Sequence, residues 1–411
     1  MCKFQRVEMK DMKMKKSMTL VAVMFGLFAS VQAQDDIKDN QFNPVQTGVN
    51  SLGIAPDARG GGMGDIGAAT DPDENSQYWN ASKYAFAFSQ AGVSFSYTPW
   101  LRKLVSDINL AYLAGYWKLG QNDMQAVSAS VRYFSLGEIS ITNANAENIN
   151  VINPFEMAVD LGYSRKLSDK FAMGVVFRYI QSDLAYSQEE DYGPASAFAA
   201  DISGYYTGYP IVGRNECQWS FGFNVSNIGS KVSYDGGATQ AFLPTNLRLG
   251  TTFLFPIDDY NRMSFSLDLN KLLVPTRPLL SQFDGDQIAY ESALDDYYAT
   301  SSIGGIFKSF SDAPGGFSEE LQEINFSLGA EYTYNNQFFL RAGYFNEHKN
   351  KGNRKYATVG AGFALNVFRL DAAYVISVAQ QSPLDQTLRF SLSFDMEGLR
   401  SLVGSNGRRR R

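Results

Sequence analysis

The sequence has 411 residues, a formal net charge of −6, 14% aromatic residues and 36 glycines. The acidic balance argues against a general nucleic-acid-binding protein, which would carry a basic face. The mean hydropathy of −0.22 and the lack of a long apolar run after the N-terminal region exclude helical membrane topology. A β-barrel membrane protein fits this composition, because only the outward half of each strand must be apolar.

Residues 1–33 have the three parts of a secretory signal peptide. A basic stretch at 13–16 precedes an apolar run at 20–28, and small residues lead to an expected cleavage site after Ala33. Cleavage would change the formal net charge from −6 to −10, because residues 1–33 contain six basic and two acidic residues. Cys217 would then be the single cysteine, so no intrachain disulfide is expected.

From about residue 86 the sequence divides into segments in which apolar and polar side chains alternate, as in a strand with two different faces. An even number of such strands can close into a bilayer-spanning barrel without an unpaired edge. The sequence therefore predicts an all-β fold, a 14-stranded antiparallel transmembrane β-barrel over residues 84–396. Its strands are expected near 86–98, 106–118, 123–135, 155–166, 170–182, 195–206, 216–227, 245–256, 261–272, 321–334, 337–346, 356–366, 368–379 and 386–396.

The links between these segments alternate between short and long, as in outer-membrane barrels with short periplasmic turns and longer external loops. A soluble β-sandwich could imitate the strand alternation, but not easily this order of links. The short links are 120–122, 167–169, 258–260, 335–336 and 366–367. The long links are 136–154, 183–194, 228–244, 273–320 and 347–355.

The predicted inward faces carry arginines and carboxylates of alternating sign on neighbouring strands. This pattern favours a network of lumenal ion pairs that closes the pore over a transport pathway, because unpaired charge in a narrow lumen would be costly. The residues predicted to form these pairs are Arg132, Asp160, Arg178, Asp201, Arg248, Asp268, Glu331, Arg341, Asp371 and Arg389.

Residues 34–83 precede the barrel, lack strand alternation and are long enough to enter the lumen as a plug. The glycine run at 60–64 is not a phosphate loop, since no Lys-Ser/Thr pair follows it, and is predicted to let the plug backbone turn tightly against the wall. The acidic turn at 71–75 lacks the ligand spacing of a calcium loop, which leaves calcium as a minor alternative. The plug motif comprises Pro56, Asp57, Arg59, Gly60, Gly61, Gly62, Gly64, Asp65, Trp79 and Asn80.

The external loop 273–320 is too long to be only a connection. Its apolar side chains need a partner surface, a ligand or the barrel mouth to cover them. Folding over its own barrel and docking to a partner are both open interpretations. The candidate contact residues are Tyr290, Leu294, Tyr297, Tyr298, Ile306, Phe307 and Phe310. The basic tail 397–411 is expected to be a solvated end without a site.

The residue types needed for catalysis are scarce. The single histidine, His348, lies near several lysines and arginines, which would disfavour the imidazolium that a general base must form. One histidine and one mature cysteine cannot supply the usual zinc ligands. No catalytic residue, cofactor or metal site is therefore predicted.

The stretch 51–65 (SLGIAPDARGGGMGD), with DPD at 71–73 and QYWNASKYAF at 77–86, closely resembles the PorV family of type IX secretion. The resemblance implies a fourteen-stranded barrel similar to the FadL long-chain fatty-acid transporters. It also implies a role in protein transport at the outer membrane. PorV-like proteins accept cargo with a C-terminal signal domain at a large translocon barrel and carry it to a surface sortase and attachment complex.

Two other functions are compatible with parts of the sequence. A FadL-like transporter of hydrophobic molecules would need an apolar pocket in the lumen, whereas the predicted lumen is charged. A lipid A deacylase would need a basic residue beside a nucleophile, and His348 is the only histidine that could serve.

Overall fold

The structure is a computed structural model. It describes residues 42–102, 105–120, 124–142, 145, 147–184, 193–237, 240–365, 367–378 and 384–395. The predicted signal peptide, the predicted plug residues 34–41 and the basic tail lie outside the described residues. Among the described residues, no helix has both the length and the apolar character needed to cross a bilayer.

Fourteen antiparallel strands form a closed barrel in which the first strand pairs with the last. The predicted fold class is confirmed, and each predicted strand has a counterpart. The barrel strands are β1 Ala91–Pro99, β2 Asn109–Leu119, β3 Gln125–Ser135, β6 Phe155–Lys166, β7 Phe171–Asp183, β8 Ala195–Gly208, β11 Gln218–Gly229, β12 Asn246–Pro256, β13 Asn261–Leu272, β14 Asn325–Tyr334, β15 Phe338–Asn346, β16 Lys355–Ala364, β17 Phe368–Ser377 and β18 Leu388–Asp395. Two small hairpins lie in the links, β4 Ile139–Thr142 with β5 Asn148–Ile152, and β9 Ile211–Val212 with β10 Asn215–Glu216.

Burial alternates along the strands because successive side chains point to opposite faces. In β3, Ser128, Ser130 and Arg132 are buried, while Val127 and Val131 are exposed on the outer face. The apolar outer face suits contact with lipid, and the polar inner face lines the lumen.

The links differ between the two ends of the barrel. Tight turns use residues that adopt the left-handed conformation, such as Asn335 and Asn336 with φ of 51° and 55°. We call the end with the short links the periplasmic end and the opposite end the outer end. Five links at the periplasmic end have three to five residues, 120–124, 167–170, 257–260, 335–337 and 365–367, and the sixth, 209–217, contains the β9–β10 hairpin. The long links are 100–108, 136–154, 184–194, 230–245, 273–324, 347–354 and 378–387.

Residues 42–90, here called the inner segment, run through the lumen. Near the outer end, the Asn43 N–H donates to the carbonyl of Asn350 and the Gly48 N–H donates to the carbonyl of Phe242, both at 2.8 Å. Near the periplasmic end, Lys118 Nζ donates to the carbonyl of Ala87 at 2.9 Å. The chain therefore passes from the outer end towards the periplasmic end before it enters β1.

The structure moves two boundaries relative to the sequence prediction. Ala81–Phe86 is a 3-10 helix whose start is capped by the Asn80 side chain, so β1 begins at Ala91 rather than at residue 86. Phe317–Gln322 is an α-helix, so the long outer link extends to residue 324 and β14 begins at Asn325.

The inner segment lies so close to the wall that two wall positions have room only for glycine. A Cβ atom on Gly222 would lie 1.9 Å from the carbonyl oxygen of Ala68, and one on Gly343 would lie 2.0 Å from the carbonyl carbon of Met63. These neighbours are backbone atoms of the inner segment, which cannot move aside as a flexible side chain can.

We predict that Gly222→Ala combined with Gly343→Ala displaces the inner segment and raises the ion conductance of the purified barrel in planar bilayers. The physical reason is the overlap of the two new methyl groups with the inner-segment backbone. Gly53→Ala is the matched control, because a Cβ at Gly53 meets no atom within 4 Å. Wild-type conductance in the double variant would contradict the prediction.

Candidate functional site

The strongest link between the inner segment and the wall is a chain of buried ion pairs. Arg59 of the inner segment contacts Asp73 at 2.8 Å and Glu331 of β14 at 3.1 Å. Glu331 also contacts Arg341 at 2.6 Å, and Arg341 contacts Asp371 at 2.8 Å. Because each charge has an opposite partner, the row of wall charges and the inner segment stabilise each other.

Asp57 joins two separate parts of the plug motif. Its carboxylate accepts a hydrogen bond from the Gly60 N–H at 2.8 Å, which caps the short helix Ala58–Gly61. The second oxygen accepts from Trp79 Nε1 at 2.6 Å. A Cβ on Gly60 would lie 2.4 Å from the Trp79 ring. The glycine run therefore allows the helical turn to pack directly on the indole.

Further contacts fix the middle of the inner segment. Asp65 pairs with Arg389 of β18 and accepts a hydrogen bond from Tyr356 Oη at 2.6 Å. On β13, Asp268 accepts from the Gly67 and Ala68 N–H groups at 2.9 and 3.0 Å. The inner segment is thus held at separate positions along the wall.

A second ion cluster lies on β6, β7 and β8. Arg178 contacts Asp160 at 2.7 Å and Asp201 at 3.1 Å. The register of β11 shifts between Val225 and Ile228, and Asn227 in this bulge donates its N–H to Asp201 at 2.8 Å. The bulge supplies a backbone donor that completes the cluster.

Arg132 and Arg248 do not form the ion pairs predicted for them; among the described residues, neither has a carboxylate oxygen within 4 Å. Arg132 donates to the carbonyls of Ser51 and Ile54 in the inner segment. Arg248 donates from Nε to Asn270 Oδ1 at 2.8 Å. The prediction is wrong for these two arginines because inner-segment carbonyls and a neighbouring amide, rather than carboxylates, accept their hydrogen bonds.

A cavity of about 360 Å³ lies between the inner segment, the wall and the outer links. Tyr78 and Trp79 line it from the inner segment, and Arg132 and Arg248 line it from the wall. Arg354, from the link 347–354, lines it as well. The lumen thus contains a polar chamber in addition to the packed part of the inner segment.

The long link 273–324, here called the outer loop, is attached to the barrel mouth by charge. Lys271 at the end of β13 contacts Glu320 at 2.9 Å and Glu323 at 2.5 Å. Lys351 from another link contacts Glu323 at 3.0 Å and Glu319 at 2.5 Å. These largely buried pairs fix the last helix of the outer loop, Phe317–Gln322, against the rim.

Tyr297 does not face outward, although the sequence predicted it as a partner contact. It is 6% exposed, and its ring lies 5.5 Å from Phe242 of the link 230–245. Tyr297 lies in the helix Gln287–Ala299 and packs that helix onto the barrel mouth. This prediction is wrong because the aromatic partner comes from a distant link.

The other candidate contacts of the outer loop differ in exposure. Phe307 is 73% exposed and Phe310 is also exposed. The remaining four are half-buried, namely Tyr290, Leu294, Tyr298 and Ile306. The candidate contacts do not include five further exposed apolar residues of the outer loop, Leu280, Ile288, Ile303, Phe317 and Leu321. The spacing of four residues between Phe317 and Leu321 is a helical signal that could have shown them on one face.

Comparison with protein families identifies the chain. The sequence model of the family described as "Type IX secretion system protein PorV" matches residues 37–279. The chain belongs to the PorV family. The resemblance carried by the plug motif is confirmed, and the closed barrel and the family together indicate an outer-membrane protein.

Solved structures similar to this PorV-family chain include two toluene transporters and a FadL homologue. The toluene transporter TbuX of Ralstonia pickettii shares 11% identity over 84% of this chain and 97% of that chain, with a TM-score of 0.42. The toluene transporter TodX of P. putida shares 9% over 83% and 97%, with a TM-score of 0.48. A FadL homologue of Pseudomonas aeruginosa shares 12% over 86% and 99%, with a TM-score of 0.44. These similarities are too weak to indicate a function. Comparison with curated proteins gives no match.

We predict that Glu331→Gln lowers the free energy of unfolding of the barrel by about 3–5 kcal/mol, because it removes the buried carboxylate that Arg59 and Arg341 share. Urea titration of the protein in detergent micelles measures the change. Glu216→Gln, at an exposed site on β10, is the control and is expected to change little. Equal effects of the two substitutions would contradict the role of the buried chain of charges.

The outer loop should become more stable as the pH falls from 7 to 5. Burial raises the pKa of Asp312 to about 6, and the carboxylates of Glu320 and Glu323 add to the rise. An unfolded aspartate has a pKa of about 4. Between these values the folded loop binds a proton that the unfolded loop does not, so lower pH favours the folded loop.

The amide of Thr276, which donates to Asp312 at 2.9 Å, reports this effect directly. Its hydrogen-exchange protection factor should rise on acidification in the wild-type protein. Asp312→Asn should remove most of that rise. An equal pH dependence in both proteins would contradict the assignment to Asp312.

Proposed function

We propose that this chain is the cargo-binding shuttle subunit of the type IX secretion system. It accepts proteins that carry a C-terminal signal domain at the large translocon barrel and delivers them to the surface sortase and attachment complex. Family membership supports the link to type IX secretion. The observation that carries the finer role is an outer loop fixed to the barrel mouth with large apolar side chains facing away from it.

The filled lumen supports a role in which cargo does not pass through this barrel. The inner segment is attached to the wall by buried pairs such as Arg59–Glu331 and by hydrogen bonds such as those to Asp268. A secreted polypeptide would have to break these contacts to enter. The protein is therefore better suited to present a surface than to conduct a chain.

The sequence left two interpretations of the outer loop open, folding over its own barrel and docking to a partner, and different parts of the loop support each of them. One side, around Tyr297, covers the chain's own barrel mouth. Elsewhere the loop exposes Phe307 and Phe317, at 73% and 77%. Large exposed apolar side chains on such a loop favour an interaction site. Because the salt bridges of Lys271 and Lys351 hold the loop, the apolar side is presented without a large ordering cost on binding.

The cavity gives little support to transport of a hydrophobic molecule. Its lining includes the charged side chains of Arg132, Asp160 and Arg248. An apolar ligand would exclude water from these groups without replacing their hydrogen bonds. His348 accepts a hydrogen bond from the Asn350 N–H at 3.3 Å within a link that is rich in lysine and arginine. The proposal accordingly includes no catalytic step.

Phe307→Asp combined with Phe317→Asp is expected to reduce surface delivery of C-terminal-signal cargo by roughly tenfold, because central aromatic residues dominate the binding energy of most interfaces. The variants are expressed in cells that lack the chromosomal copy, and surface cargo is quantified by protease shaving and immunodetection. Co-purification of the translocon and cargo with each variant is measured in parallel.

Ile149→Asp is the matched control, since Ile149 is an exposed apolar residue of the external hairpin β4–β5. It is expected to preserve delivery. Normal delivery in cells without the chain would overturn the proposed function. Normal delivery with the double variant would overturn the assignment of the outer loop.

A further inference from the structure

The acidic groups that line the lumen cavity are already engaged. The carboxylate of Asp160 accepts hydrogen bonds from Arg178 at 2.7 and 2.9 Å and from Ser130 at 2.9 Å. Glu347 pairs with Arg354 at 2.7 Å. Glu323 and Asp65 are held by the lysine and arginine contacts described above. The chain therefore has no uncommitted carboxylate among the described residues that line the cavity.

Two arginines that line the cavity, Arg132 and Arg248, have no carboxylate partner among the described residues. The guanidinium carbons of Arg132 and Arg248 lie 4.9 and 5.3 Å from the centre of the Tyr78 ring. Arg248 also lies 4.5 Å from the centre of the Trp79 ring. Tyr78 thus brings two guanidinium groups to the floor of the same cavity.

Each of the two arginines retains donor capacity. Arg132 is only 4% exposed, and its Nη2 is buried without a hydrogen-bond partner among the described residues. Arg248 lines the cavity, and its bond to Asn270 uses Nε, so its two terminal nitrogens make no hydrogen bond among the described residues. A guanidinium group has five N–H donors in a fixed plane.

The ring contacts offset only part of the cost of burying these charges. A cation–π contact contributes about 0.5–2 kcal/mol, whereas a buried cation without an anion loses considerably more hydration energy. Planar guanidinium groups bind carboxylate and phosphate through paired hydrogen bonds, which are among the strongest that proteins form. The unused donors, the positive charge and the space at this cavity all suit an oxyanion.

We propose that the lumen cavity binds a small oxyanion, the carboxylate or phosphate group of a compact solute, between Arg132 and Arg248. The cavity volume of about 360 Å³ falls in the range of small-molecule sites. The solute contacts Tyr78 and Trp79 with its apolar part and the two arginines with its charged group. This site does not depend on the shuttle role proposed above.

The test is the thermal stability of the full-length mature protein in detergent, titrated with sodium phosphate or sodium acetate at constant ionic strength. Sodium chloride at the same ionic strength controls for screening. We expect a saturable rise in the unfolding midpoint with at least one of the two anions. The rise should weaken by roughly tenfold in apparent affinity in Arg132→Gln and in Arg248→Gln, since each removes one charge-assisted donor group.

Arg262→Gln is the control variant, because Arg262 lies at the periplasmic end and contacts Asn336. It is expected to retain wild-type affinity. The heat-dependent shift of the folded barrel in gel electrophoresis verifies that each variant is folded. If Arg132→Gln fails this criterion, Arg248→Gln decides the outcome, because Arg248 has no hydrogen bond to the inner segment among the described residues.

Titration with phosphate and acetate distinguishes the two oxyanion classes, and mass spectrometry of small molecules released from the purified protein identifies the natural solute. The proposal is overturned if neither anion stabilises the protein beyond chloride. It is also overturned if folded Arg248→Gln responds to the anions as the wild-type protein does.

Discussion

Buried charges in the lumen need partners, because the interior of a narrow, filled barrel solvates ions poorly. Glu331 on the wall shows the consequence, since it lies within 4 Å of Arg59, Arg341 and Arg369 at once. The closed barrel alone would satisfy its backbone through strand pairing. Some of its inward side chains, however, such as Asp268 and Arg389, find their partners in the inner segment. The inner segment is therefore part of the folded core rather than an accessory placed inside a finished pore.

Pairing of buried charges also operates at the barrel mouth, where it attaches the outer loop rather than the inner segment. Lys271 and Lys351 share Glu323, so the outer loop is attached to two separate positions on the rim. Buried ion pairs of this kind fix the orientation of the outer loop more strictly than apolar contacts would, because their hydrogen bonds depend on angle as well as distance. An apolar patch on such a loop keeps a defined orientation towards a partner in or above the membrane.

The sequence predicted the strands well and the side-chain partners less well, for one physical reason. Strand alternation is local, so the two faces of β3 or β13 can be recognised from neighbouring residues alone. Partners come from segments far apart in the chain. Arg132 bonds to the inner segment about 80 residues earlier, and Tyr297 packs on Phe242. Neither relationship leaves a periodic signal in one sequence, and the helix Ala81–Phe86 similarly interrupts a region that reads as the start of a strand.

Arg132 connects the cavity with the position of the inner segment. One of its terminal nitrogens bonds to the carbonyls of Ser51 and Ile54, and the other is buried without a hydrogen-bond partner among the described residues. An anion that orders this guanidinium group would also favour the conformation in which the inner segment is bound. By thermodynamic linkage, any partner that displaced the inner segment would weaken the anion site by the same free energy. Occupancy of the cavity would therefore report whether the lumen is closed.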